Sequence, residues 1–499
     1  MKRHLRIIRL LFLAAICCSA HSDGNAQDQC LTCHETLGDG PAVLFRNDIH
    51  REKGVSCADC HGGDRTADDM EKAMAPAAGF AGVPKGDGVT RMCAGCHASA
   101  AVMVNKYKSD LPWDQQELLA ASVHGKGSVS GKESIVQCAT CHNAHGVVPA
   151  DNVGSPVYPL NVTKTCGKCH SNPSYMRTYN PALPVDQVEK YRTSVHGKRN
   201  AKGDRKVAEC ASCHGGHEIR SAKDVKSRVY PSNIPATCGT CHADARYMKG
   251  YGIASDQLDE YSKSVHGVAL LEKSDIGAPA CNDCHGNHAA APPGVESVSH
   301  VCGTCHALNA ELFATSPHKK AFDSANMPEC ETCHGNHEIL AASEKLLGVS
   351  EEAVCSWCHG GEPESKAYQV ASTMRTLADS LEQAEKGATA LVNEAEQKGM
   401  EITDAKFKLR DARHARLESR TMVHSFDIGK FREVIDNGVV VTAVVTTEAR
   451  IAIEEYYFRR WGLAIATFIM TALSVLVYVY VKRLEKHPPD KKDVLYDKT

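Results

Sequence analysis

Between residues 30 and 359 the chain repeats one pentapeptide, Cys-x-x-Cys-His, eleven times. The copies consume 22 of the 24 cysteines, and the two left over, Cys17 and Cys18, stand in a leader-like N-terminus. The mature chain is therefore expected to carry no spare thiol and no disulfide framework. Zinc ribbons and thioredoxin-like pairs also use Cys-x-x-Cys, but neither needs a histidine directly after the second cysteine. The pattern reads instead as covalent c-type haem attachment. Two thiols one helical turn apart add across the vinyl groups of one porphyrin, and the adjacent imidazole reaches the iron from one face.

The attachment pairs are Cys30 and Cys33, Cys57 and Cys60, Cys93 and Cys96, Cys138 and Cys141, Cys166 and Cys169, Cys210 and Cys213, Cys238 and Cys241, Cys281 and Cys284, Cys302 and Cys305, Cys330 and Cys333, and Cys355 and Cys358. The proximal iron ligands expected with them are His34, His61, His97, His142, His170, His214, His242, His285, His306, His334 and His359. Eleven covalent haems in 330 residues leave about 30 residues each, too few to bury every porphyrin in its own apolar core. Aromatic residues are only 6% of the chain. The haems themselves are thus expected to form the core, with ligation coupled to folding. The fold class that follows is mainly α with extensive loop, a haem-packed domain leading into a helical stalk and a C-terminal transmembrane helix.

Three stretches repeat: "DQQELLAASVHG", "DQVEKYRTSVHG" and "DQLDEYSKSVHG", with Asp114, Asp186 and Asp256 ten residues before His124, His196 and His266. The aspartate reads as a helix cap, with an acid three residues later completing a capping-box-like start. The glycine after each histidine reads as a helix stop, which places the histidine at a helix C-terminus. Each stretch precedes a CxxCHxxH motif and then a second CxxCH, so a dihaem module recurs about four times. "SPHKKAF", with His318, opens a shorter copy, and "NDIHREKGVSCADCHGG", with His50, a clipped first one.

The doubled histidine of CxxCHxxH has its own logic. Three positions beyond a proximal ligand, it cannot pass round the macrocycle to the opposite face of the same iron. It can reach a neighbouring haem. His145, His217, His288 and His337 are therefore expected as distal ligands to adjacent haems, beside His50, His124, His196, His266 and His318 from the helix ends. His424, in "TMVHSFD" among apolar neighbours, is a tenth distal candidate. His414 and His300 are left undecided, so one open iron is compatible with the count.

At the N-terminus a basic start and the short apolar run Leu10–Ile16 read as a signal peptide over residues 1–26, with Ala20 or Ala26 before the cleavage point. The stretch Trp461–Val481 is 21 residues without a charge, long enough to span a bilayer. More positive charge follows it than precedes it, which assigns residues 482–499 to the cytoplasm and the haem domain to the periplasm. Between haems and anchor, residues 364–458 lack cysteine and show helical spacing at Met374, Leu377, Leu381, Ala384, Ala388 and Leu391. A second helix is expected from Thr403 to about His424 and a third from Lys430, with breaks at Gly399 and Gly429. The domains so drawn are a trihaem segment over 27–110, repeated dihaem modules with eight haems over 111–363, the stalk over 364–458, the anchor over 459–481 and the tail.

Formal charge is −3 with no basic block in the haem region, so nucleic acid is not an expected partner. Over roughly residues 27 to 360, with its doubled CxxCH motifs, the chain resembles multihaem c-type cytochromes of the class III low-potential kind and related bacterial periplasmic electron-transfer proteins. The resemblance implies an electron carrier of anaerobic respiration in the bacterial inner membrane. Electrons would pass from a membrane quinol-oxidising partner to periplasmic or outer-membrane cytochromes. Tetrahaem quinol dehydrogenases of that family are held by an N-terminal helix, whereas this anchor is C-terminal, so their mode of quinol docking is not carried over. A haem oxidoreductase of nitrogen or sulfur compounds, with one five-coordinate iron, is the competing expectation. Related reductases often close that motif with lysine, and here all eleven close with histidine.

Overall fold

The computed structural model describes residues 28–126, 135–292 and 298–486. The expected signal peptide with Cys17, Cys18, His4 and His21, and the cytoplasmic tail from His487, lie outside the described residues. The described residues are helix and loop, with no strand among them. The chain divides into two compact units, Met1–Pro292 and Pro293–Thr499.

In the first unit helices are short because the attachment motifs dictate them. Cys57–His61, Cys138–His142, Cys210–His214 and Cys281–His285 are each a five-residue turn of helix. The residue before the second cysteine closes that turn onto the backbone N–H ahead of the first. Ser56 N–H donates to Asp59 Oδ2 at 2.7 Å, Gln137 N–H to Thr140 Oγ1 at 3.1 Å, Glu209 N–H to Ser212 Oγ at 3.1 Å and Ala280 N–H to Asp283 Oδ2 at 2.8 Å. The turn then ends at once. Gly215 follows His214 at φ 82°, and at the equivalent position Asn143 takes φ 67°, a conformation asparagine tolerates better than most side chains. Three other motifs, by contrast, close longer helices, Asp87–His97, Val162–His170 and Ile234–His242.

The second unit holds the motifs at Cys302, Cys330 and Cys355 and then the stalk. Its three helices are Lys366–Gln397, Thr403–Met422 and Ile428–Lys486. Along the first, Ala371, Met374, Ala378, Leu381, Glu385, Ala388, Val392 and Ala395 are buried, at alternating steps of three and four. Along the third, Phe431, Ile435, Gly438, Thr442, Val445, Ala449 and Ala452 repeat those steps. That is a heptad seam, and its many small residues let the helices approach closely. A Cβ at Gly438 would come within 2.8 Å of Leu381 Cδ1 and 3.0 Å of the Ala415 methyl. The contiguous apolar clusters of the described residues lie here, around Leu381 and Phe431 and around Val392 and Val445.

Two local expectations need correction. The buried seam passes through Glu385, not Ala384, because Arg416 Nε donates to its Oε2 at 2.6 Å and Arg413 pairs with Oε1. A seam position can hold a carboxylate when the facing helix neutralises it. Gly429 is not the second break either; it lies inside the last helix, and the turn is made by Ser425 and Phe426, the latter at φ 51°. The stretch Trp461–Val481 falls within the 59-residue last helix, which is long and apolar enough to cross a membrane by length and composition, with its apolar stretch fully exposed.

Candidate haem-binding site

Eight of the expected proximal histidines each come together with one of the expected distal histidines. Their ring centroids lie 5.9 to 6.2 Å apart for His50 with His97, His61 with His145, His124 with His170, His142 with His217, His196 with His242, His214 with His288, His318 with His359, and His334 with His424. An imidazole–metal bond of about 2 Å on each side, plus two ring radii, separates centroids by roughly 6 Å. The pairs therefore fit an iron held between two imidazoles. Among the described residues no three His, Cys, Asp or Glu converge on a site for a bare ion.

Two geometries recur. Pairs supplied by CxxCHxxH are close to parallel: 13° for His61 and His145, 8° for His142 and His217, 12° for His214 and His288. Pairs supplied by the SVHG-type segments are steeply inclined, from 48° for His124 and His170 to 87° for His50 and His97. The doubled histidine thus stands against the short-helix motif one module earlier, while His50, His124 and His196 stand against longer-helix motifs and His318 against the short helix Ser356–His359. His424, from the end of the second stalk helix, faces His334 at 25°. His414 and His300 are both exposed.

Burial is the main cause that lowers the His124, His142, His196, His214, His217 and His424 imidazoles below their ordinary pKa. The neutral ring so favoured is the form that binds metal. Nδ1–H is often anchored as well. His61 Nδ1 lies 2.9 Å from the Gly82 carbonyl, His424 Nδ1 3.0 Å from the Thr421 carbonyl and His50 Nδ1 2.8 Å from the buried Asp48 carboxylate. Such partners fix the ring and turn Nε2 toward a metal.

How the SVHG segments place their histidines differs from expectation. The helix Gln187–Thr193 stops at Ser194, and His196 lies in the first turn of a new helix, Val195–Ala201. Ser194 is the pivot: its Oγ donates to the Tyr191 carbonyl at 2.6 Å and accepts from Gly197 N–H at 2.8 Å. Ser264 repeats both bonds with Tyr261 and Gly267. Gly197 is therefore no stop; it allows close approach, since a Cβ there would sit 2.0 Å from the Tyr191 carbonyl oxygen. Asp114, Asp186 and Asp256 do occupy the N-cap positions, but none makes a side-chain cap bond.

A backbone brace joins the two classes of donor. Ile49 N–H donates to the Val147 carbonyl at 2.8 Å, Val123 N–H to Ile219 at 2.8 Å and Val195 N–H to Ala290 at 3.0 Å. In every case the residue before one distal histidine binds the residue two beyond another: His50 beside His145, His124 beside His217, His196 beside His288. The first cysteines of some successive motifs also neighbour one another: Cys93 and Cys138, Cys166 and Cys210, Cys238 and Cys281, and Cys302 and Cys330. The serine pivot and the brace escaped the sequence reading; the recurring serine two residues before His124, His196 and His266 was the available signal.

Residues 49–171 match the cytochrome c3 family, a stretch that holds four attachment motifs and three of the paired distal histidines. That segment is cytochrome c3-like. A C-type polyheme cytochrome, OmcC, of Geobacter sulfurreducens is 25% identical over 299 residues, covering 52% of this chain and 36% of the relative. The chain thus spans about a third of that relative's length. No solved structure matches. The likeness carries multihaem c-type chemistry, with covalent haem and electron transfer in general.

Proposed function

We propose that the chain is an undecahaem cytochrome c that conducts electrons through haems ligated mostly by two histidines. One observation carries this reading: eight proximal histidines each face a second imidazole across a gap sized for iron. His266 and His337 keep the donor role that the repeat assigns them, and His285 and His306 the proximal role. The haem supplies reversible one-electron chemistry. The protein's part is to fill both axial positions, which keeps substrate off those irons and, without a methionine ligand, favours low potential. The neighbouring cysteines support passage between paired attachment sites within each unit.

The same reading places the haem domain in the periplasm, tethered to the inner membrane by Trp461–Val481. It takes electrons from a membrane quinol-oxidising partner and passes them to periplasmic or outer-membrane cytochromes in anaerobic respiration. The exposed apolar helix supports the tether. An oxidoreductase of nitrogen or sulfur compounds is the second reading, favoured by the surroundings of His34 alone. Intact mass of the mature protein tests the haem count: eleven haem additions and no titratable thiol are expected, and ten or fewer additions from a competent host refute it.

A further inference from the structure

His34 closes the first attachment motif, and among the described residues no imidazole stands against it. Its neighbour is a carboxylate: Asp39 Oδ2 lies 2.6 Å from His34 Nδ1, and both side chains are nearly half exposed, at 46% and 45%. The backbone builds this contact. The helix Gln29–Thr36 ends in a turn through Gly38 at φ 74°, and Asp39 N–H returns to the His34 carbonyl at 3.0 Å. Asp39 is then the N-cap of the helix Gly40–Phe45, yet its side chain makes no cap bond there. An aspartate at this position ordinarily caps the helix, and here the carboxylate faces the histidine instead.

The consequence is electronic. A carboxylate on Nδ1–H fixes the tautomer that leaves Nε2 for metal and raises the basicity of the ring. A neutral carbonyl, such as Gly82 against His61, does so less. His50 also carries a carboxylate on Nδ1, but it faces His97 and so belongs to a filled pair.

Resting on the haem reading of the motif, we propose that the haem at Cys30 and Cys33 is held by protein on one side only, through His34. Its other axial position takes a small inorganic ligand, a diatomic such as carbon monoxide when reduced. Asp39 is the positioning residue that strengthens the His34 donor. The chain then combines a bis-histidine wire with one ligand-accessible iron at its N-terminal end.

The test uses the detergent-solubilised full-length holoprotein, reduced and titrated with carbon monoxide. One carbon monoxide per eleven haems is expected, with an iron–histidine stretching band in the resonance Raman spectrum before the gas is added. Asp39→Asn should shift that band to lower frequency with unchanged stoichiometry, and Asp39→Glu should restore much of the shift. No carbon monoxide binding overturns the proposal and leaves the wire intact. A band unmoved by Asp39→Asn places the open iron elsewhere and also overturns it. Binding at several haems refutes the wire itself.

Discussion

His217 faces His142 with ring centroids 5.9 Å apart and planes 8° from parallel, although His217 follows the motif that begins at Cys210, 72 residues beyond Cys138. The doubled histidine thus stands against the module before its own. His217→Ala should open one coordination site at the Cys138–Cys141 haem while leaving every thioether bond in place. Magnetic circular dichroism of the oxidised variant should gain a high-spin signal worth one iron in eleven, and the reduced variant should bind one additional carbon monoxide. An unchanged spin state would remove His217 from the ligand set.

Gly197→Ala tests the serine pivot. The added methyl would lie 2.0 Å from the Tyr191 carbonyl oxygen, a backbone atom that cannot swing aside. Overpacking of this kind costs about 1–3 kcal/mol. The variant should melt at lower temperature and show a weakened low-spin signal from the haem of His242, which His196 faces. Wild-type stability and spin state together would show that Gly197 is not needed for close approach.

The recurring motif and the two classes of histidine that pair in the fold were legible in the sequence because spacing marks them. A histidine directly after a cysteine pair, or three residues later, has few places to go. The pivot of Ser194, the brace from Val195 to Ala290 and the Asp48 contact with His50 were not legible, since each depends on where a distant segment folds. Stalk length could be read from helical spacing, whereas its seam could not, because Glu385 is admitted only by arginines of the next helix.

Acid should loosen the stalk through Glu344. Burial alone would raise this carboxyl, but its backbone hydrogen bond and the guanidinium groups of Arg420 and Arg416, at 3.0 and 3.1 Å, outweigh that and hold it below the ordinary carboxylate range. A folded-state value below the unfolded one, about 4.3, means the contribution is fully present above that pH. It is lost as pH falls through the folded value. Glu344→Gln should lower the melting temperature at neutral pH and flatten its decline below about pH 4. An unaltered acid limb would assign that decline to other groups.

The proposed topology rests on the apolar end of the last helix. Truncation after Phe458 should release a soluble haem protein, and a reporter fused after Thr499 should be active only in the cytoplasm. Membrane association of the truncated protein without a partner would show that Trp461–Val481 is not the sole attachment.

The spin state of all irons in the oxidised, full-length wild type tests the paired-histidine wire most directly. Quantitative paramagnetic resonance should find at least ten of eleven haems low-spin, with at most one high-spin iron. Two or more high-spin irons in the wild type would contradict the account.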